Sequence, residues 1–102
     1  MTKIIIALDS SDAEENITTA QKLKDQVDGF KINHLMLEHT SVIKSFADEL
    51  FIDCKLWDTP NTVNKVMQRI VDLGATMTTV STLNSVQVFE ELQDFTNKIK
   101  LL

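Results

Sequence analysis

Four times along this chain a short β-prone run gives way to a segment whose apolar residues return at helical spacing. Repeated β/α units of this kind leave few architectures open, because their crossovers are right-handed and their strands lie parallel beneath helices. Lys3-Ile4-Ile5-Ile6-Ala7-Leu8-Asp9 reads as the first strand, a continuous apolar run of the sort buried on both faces of a parallel sheet. Ser10, Ser11 and Asp12 offer N-caps for a helix reaching about Val27, with Glu14 and Glu15 at the positive end of its dipole. Gly29 is expected to end that helix, and Phe30 to Asn33 to form the second strand. A second helix is expected from Thr40 or Ser41 to Glu49, and a third strand from Leu50 to Leu56. Pro60 opens a third helix through Val63, Val66, Ile70 and Leu73, closed by Gly74. Met77 to Ser81 is the fourth strand, and Ser85 begins a last helix with Val88, Phe89, Leu92, Phe95 and Ile99 on one face.

Composition narrows the class further. With 43% apolar residues in 102, disorder is excluded, and two Gly with one Pro do not supply a turn-dense all-β fold. The expected fold is therefore α/β, with residues 1–102 forming one domain. The net charge of −5, with no basic stripe, argues against nucleic acid as a partner. The longest apolar stretch, Ile4 to Leu8, is far short of the roughly 20 residues that cross a bilayer, so no membrane is expected either. The first residues pass directly into a strand instead of a basic segment and cleavage site, which makes the cytoplasm the expected location. Cys54 stands alone, against any internal disulfide framework or structural zinc.

The polar residues collect where this topology places ligands. Asp9, Lys31, Asp53, Lys55, Asp58 and Ser81 all fall at or just past the carboxyl ends of strands. Residues two apart on a strand share a face, so Asp53 and Lys55 are expected side by side, with Cys54 and Leu56 turned to the helix layer. Asp58 lies where the chain turns into the third helix, able to reach back toward the site or across to a partner chain. Two carboxylates would then flank Lys55, and nearby carboxylates hold an amine protonated, which makes Lys55 a candidate general acid. A salt-bridged strand end is the structural alternative.

The segments Ile5-Ile6-Ala7-Leu8-Asp9, Phe30-Lys31-Ile32 and Phe51-Ile52-Asp53-Cys54-Lys55-Leu56-Trp57-Asp58-Thr59-Pro60-Asn61-Thr62-Val63 resemble the orotidine 5′-monophosphate decarboxylase family. The pattern Asp-x-Lys-x-x-Asp, then one residue and Pro-Asn-Thr, carries the resemblance. It covers essentially the whole chain but about half of the family's barrel, and so implies a parallel (β/α)4 half of a TIM-type barrel. A full barrel of this type takes about 250 residues.

By this resemblance Asp9 contacts the ribose hydroxyls, and Lys31 lies near the ribose in a charged network. Asp53, Lys55 and Asp58 form the alternating acid, base and acid array, the second aspartate entering the neighbouring subunit's site. Thr62 contacts the nucleotide near that same interface. The implied reaction converts orotidine monophosphate to uridine monophosphate and CO₂, in de novo pyrimidine biosynthesis, with no metal and no organic cofactor. Lys55 would stabilise the carbanion and deliver the proton, while Asp53 would disfavour the ground state beside the departing carboxylate. The implied partners are the nucleotide and either a second copy, as in a dimer, or a chain that completes the barrel.

Several positions depart from the family pattern. Thr59 replaces the usual Ile before Pro-Asn-Thr, Asn33 stands where Gly is usual after strand two, and Val80-Ser81 replaces Val-His at strand four. The resemblance places the serine contact to the pyrimidine and the Gln, Arg and glycine-rich phosphate grip on strands five to eight, beyond the matched half.

Other readings compete. A response-regulator receiver domain also has Asp after strands one and three and Ser or Thr after strand four, which Asp9, Asp53 and Ser81 fit, although Leu8 occupies the place of its second acid. Hexulose-phosphate synthases and ketogulonate-phosphate decarboxylases share Asp-x-Lys-x-x-Asp and use magnesium, but lack Pro-Asn-Thr after it. An inactive truncated barrel fragment is the third. His34 and His39 read as solvated or capping residues before a metal pair, and Trp57 either stacks on a base or packs the strand end.

Overall fold

A computed structural model describes residues 2–102. The elements are β1 (Ile5–Ala7), α1 (Ala13–Leu23), β2 (Gly29–Ile32), a 3₁₀ turn (His34–His39) running into α2 (Thr40–Lys44), β3 (Glu49–Leu56), α3 (Pro60–Asp72), β4 (Met77–Val80), α4 (Val86–Leu92), a 3₁₀ turn (Gln93–Phe95) and β5 (Lys100–Leu101). All neighbouring strands pair parallel, in the order β1-β2-β3-β4-β5. Sequential order is that of one side of a β/α barrel. It rules out the receiver architecture, whose 2-1-3-4-5 order would put β1 beside β3.

The sheet has one covered and one open face. Phe30, Ile32, Leu50, Ile52 and Thr78 are fully buried against the helices, packing with Ala20, Ile43, Met67 and Val88. The alternate positions Ile5, Lys31, Phe51, Asp53, Met77 and Thr79 are only half-buried. The expectation that the first strand is buried on both faces therefore fails, and Ile4 is 52% exposed.

Helix ends also differ from the sequence reading, for one shared reason: the chain must come down to the sheet earlier than helical periodicity suggests. The first helix stops at Leu23, not near Val27. A turn from Gln26 N to Leu23 O then lets the Asp28 and Gly29 amides pair with Ile4 O. Gly29 begins β2 instead of ending α1, and a Cβ there would lie 2.2 Å from Glu49 O, so only glycine lets these strands approach. The second helix ends at Lys44, because Glu49 N already pairs with Asp28 O as the first residue of β3. The last helix ends at Leu92, and Lys100 and Leu102 pair with Thr76 O and Thr78 O as an unforeseen fifth strand. Pro60 and Gly74 act as expected, Pro60 at the first turn of α3 and Gly74 beyond its end at φ +90°.

Candidate active site at the carboxyl rim

The carboxyl ends of the strands place Asp9, Lys31, Asp53 and Lys55 around a groove of about 350 Å³, with Asn33, His34 and Cys54 completing its wall. The Asp53 carboxylate is its centre. Oδ2 lies 2.8 Å from the Lys55 Nζ and 3.6 Å from the Lys31 Nζ, and Oδ1 accepts the Thr79 hydroxyl at 2.7 Å. The Asp53 side chain is 9% exposed, whereas that of Lys55 is 77% exposed. Burial pushes the Asp53 carboxyl upward, but the hydrogen bonds from Lys55 and Thr79 and the charges of Lys55 and Lys31 outweigh it. The net result is a carboxylate held below its usual range.

Asp53 and Lys55 meet as expected, but not by simple strand alternation. β3 and β4 are in register at Ile52↔Thr78 and again at Leu56↔Val80, so the intervening β3 segment bulges. Lys55 adopts φ +49°, the left-handed region, at a cost of about 1–2 kcal/mol for a residue with a side chain. Among the described residues no other non-glycine has positive φ. The bulge also keeps Cys54 from turning wholly to the helix layer. It packs partly against the core yet borders the groove, and burial, then the Asp53 charge, raises its thiol pKa.

Asp58 is not brought to Lys55 within this chain. It is exposed, its Oδ1 accepts the Thr59 N–H at 2.6 Å, and its own N–H donates to Asn84 Oδ1 at 3.1 Å. Within the chain one carboxylate lies between two lysines, in place of a lysine between two carboxylates. Thr62 is exposed on the first turn of α3, where its hydroxyl accepts that of Thr59 at 3.2 Å. Asp9 follows β1 on a loop pinned by buried Asn16, which accepts the Ser10 N–H and donates to Ser10 O.

Three polar residues that organise the rim were not singled out by sequence: Asn16, Thr79 and Asn84. The buried Asn84 amide donates to Leu56 O at 2.7 Å and Ser81 O at 2.9 Å while accepting from Asp58, joining the end of β3 to the loop after β4. A β-branched Thr reads only as strand, a loop Asn such as Asn84 only as turn and a helical Asn such as Asn16 only as a poor helix former, so none carried a signal. The unusual Asn33 has a local use, since its side chain caps the Leu35 N–H at 3.0 Å from φ −109°, where glycine is not required. Ser81 Oγ likewise accepts the Leu83 N–H. Trp57 is 64% exposed and does not pack the strand end. His39 lies 3.9 Å from Glu38, His34 is exposed on the groove wall, and the described residues hold no cluster of three metal-ligating side chains.

Comparison with known proteins agrees with this fold. A profile described as the Orotidine 5′-phosphate decarboxylase / HUMPS family matches residues 2–100. An orotidine 5′-phosphate decarboxylase of Paramagnetospirillum magneticum is 36% identical over 85 residues, covering 76% of this chain and 35% of the relative. One from Wolbachia pipientis is 32% identical over 109 aligned positions, covering all of this chain and 48% of the relative. Among solved structures, orotidine 5′-monophosphate decarboxylase of Methanocaldococcus jannaschii superposes with a TM-score of 0.86 at 25% identity, over 99% of this chain and 53% of that one. The same enzyme complexed with the inhibitor BMP gives 0.84. The chain thus spans between about a third and a half of the length of the relatives it matches.

Proposed function

Because the chain belongs to the orotidine 5′-phosphate decarboxylase / HUMPS family, we propose that it provides the charged half of an orotidine 5′-monophosphate decarboxylase, a carboxy-lyase forming uridine monophosphate. The observation that carries this reading is the buried Asp53 carboxylate between the Lys31 and Lys55 ammonium groups, at the mouth of a groove on the carboxyl rim. Pro60-Asn61-Thr62 at the start of α3 favours this branch over the magnesium-using sugar-phosphate branch.

In the proposed reaction the bond between the pyrimidine ring carbon and its carboxylate breaks, CO₂ leaves, and the electron pair stays on the ring carbon. The Lys55 ammonium faces that charge and transfers a proton to it, becoming a neutral amine that solvent reprotonates. Asp53 lies beside the departing carboxylate and repels it more before bond cleavage than after, and it aligns Lys55. Lys31 and Asp9 hold the ribose. No metal or organic cofactor takes part.

Asp58 and Thr62, exposed beside Trp57 and outside the Asp53 cluster, complete the site of a second copy in a dimer. The cytoplasm is the proposed setting, and no helix among the described residues is long and apolar enough to cross a membrane.

A second reading is favoured by the partial coverage of the relatives: a half that binds the ribose end of a nucleotide but does not turn it over alone. One assay separates the two. Release of labelled CO₂ from carboxyl-labelled orotidine monophosphate is followed with the chain alone and with a polypeptide carrying the remainder of a relative's barrel beyond β5. Release in either mixture that disappears with Lys55→Ala supports the decarboxylase. No release in both, with no NMR shift at Lys31 or Asp53 on adding uridine monophosphate, overturns it, and shifts without release support the second reading.

A further inference from the structure

Between Ile52↔Thr78 and Leu56↔Val80, the segment Asp53-Cys54-Lys55 of β3 faces one residue of β4, Thr79. A bulge of this kind strips the ladder of its regular partners, and the Lys55 amide is among the groups left over. The Thr79 hydroxyl takes it: Oγ1 accepts the Lys55 N–H at 3.1 Å and donates its one hydrogen to Asp53 Oδ1 at 2.7 Å. One side chain on the neighbouring strand therefore touches both members of the charged pair, the backbone of one and the carboxylate of the other.

We propose that Thr79 is the positioning residue of this site, fixing the Asp53 carboxylate so that Oδ2 faces both lysines and holding Lys55 in the left-handed backbone conformation that aims its ammonium into the groove. The inference rests on the decarboxylase reading for its consequence in turnover, but its geometric content stands on the rim alone. Without the hydroxyl the carboxylate keeps only its lysine contacts on Oδ2 and loses the anchor on Oδ1 that fixes its rotation about the Cβ–Cγ bond. The Lys55 amide also loses its acceptor, and with it the contact holding φ at +49°. The groups facing Asp53 are Thr79, Lys31 and Lys55, and the hydrogen bond from Thr79 is one of the influences that lower its pKa.

The molecule contains its own control. At the opposite end of the same two strands Thr76 accepts the Leu50 N–H at 2.9 Å and donates to Glu49 Oε2 at 2.7 Å. Thr76→Val thus removes an equivalent hydroxyl without touching the groove.

The test measures the Asp53 carboxyl titration by carbon-13 NMR and the hydrogen exchange of the Lys55 amide in the 102-residue chain, without nucleotide. Thr79→Val, matched in shape, is expected to move the Asp53 midpoint upward and to speed Lys55 exchange roughly tenfold. Thr79→Ser restores both, and Thr76→Val changes neither. Should the valine variant not fold, Thr79→Ala is read in its place. In an assembly that decarboxylates the nucleotide, Thr79→Val lowers kcat at least roughly tenfold with KM nearly unchanged. An unaltered Asp53 midpoint and Lys55 exchange in Thr79→Val, or equal changes in Thr76→Val, overturns the proposal. No release of labelled CO₂ in either mixture, with no nucleotide-induced shift at Lys31 or Asp53, would instead remove the decarboxylase reading and leave the titration result standing.

Discussion

The two rims of the sheet are built from the same parts and differ in what they can do. At the amino rim Glu49 of β3 is held by Thr76, just before β4, and by Lys3, whose Nζ lies 2.5 Å from Oε1. At the carboxyl rim Asp53 of β3 is held by Thr79 of β4 and by Lys55, with Lys31 in addition. The amino-rim pair is one acid to one lysine, with the Glu49 side chain 18% exposed against 9% for Asp53 and the strands in unbroken register beside it. At the other rim a shorter acid is buried beneath two cations, and a bulge re-aims one of them. The hollows at the amino rim are larger, about 490 and 590 Å³, and three lysines and three acids line the first, but among the described residues Glu49 there is ion-paired with Lys3 alone whereas Asp53 is paired with two lysines. A carboxylate braced by Thr and Lys is thus a structural device in itself. A second lysine on the same carboxylate, and a bulge that presents the first at the carboxyl ends of the strands, turn it into a candidate site.

The largest effect expected from this contrast is chemical. In any assembly of the chain that decarboxylates the nucleotide, Lys55→Ala lowers kcat/KM by at least about 10³-fold, whereas Lys3→Ala leaves it within about twofold. Comparable loss from both would erase the distinction between the rims. The amino rim should instead dominate stability: Gly29→Ala forces a Cβ against Glu49 O and destabilises by about 3 kcal/mol in urea unfolding. A smaller loss, about 1 kcal/mol, is expected for Asn84→Ala, which removes one of the two donors to the Leu56 carbonyl, the Ser81 N–H remaining, and frees the Asp58 loop. Unfolding midpoints place the two in order.

Acid touches both rims with the same sign. Asp53 and Glu49 are held below their ordinary values of 3.8 and 4.5, so each contributes stability that is complete above those values and is lost as pH falls through its lowered folded-state pKa. Asp53→Asn should flatten part of that acid limb, and a limb identical to that of the unsubstituted chain would show Asp53 to be unpaired in solution. The smallest effect belongs to the alkaline side. Lys3 is raised above 10.5, chiefly by its hydrogen bond to Glu49, so its contribution is present below that pH and fades above it. Because Lys3 is freely solvated, Lys3→Met should barely shift the denaturation midpoint at neutral pH.

Local chemistry that repeats along the chain was readable without coordinates. The β/α alternation, the Pro60 and Gly74 boundaries, and the placement of Asp9, Lys31, Asp53 and Lys55 near one rim all follow from residue type and spacing, which act over a few residues. Element ends were less legible, because Val27, Glu49 and Ile99 suit a helix by periodicity and are claimed by strand pairing or by the return of the chain to the sheet. What required the tertiary structure was every relation between β3 and β4. The bulge at Lys55, the Thr79 hydroxyl shared by Asp53 and Lys55, and the Asn84 tie to Asp58 join residues 24 to 28 positions apart. Such contacts depend on strand register, and a residue's own sequence neighbourhood carries no trace of which partner the register will set opposite it.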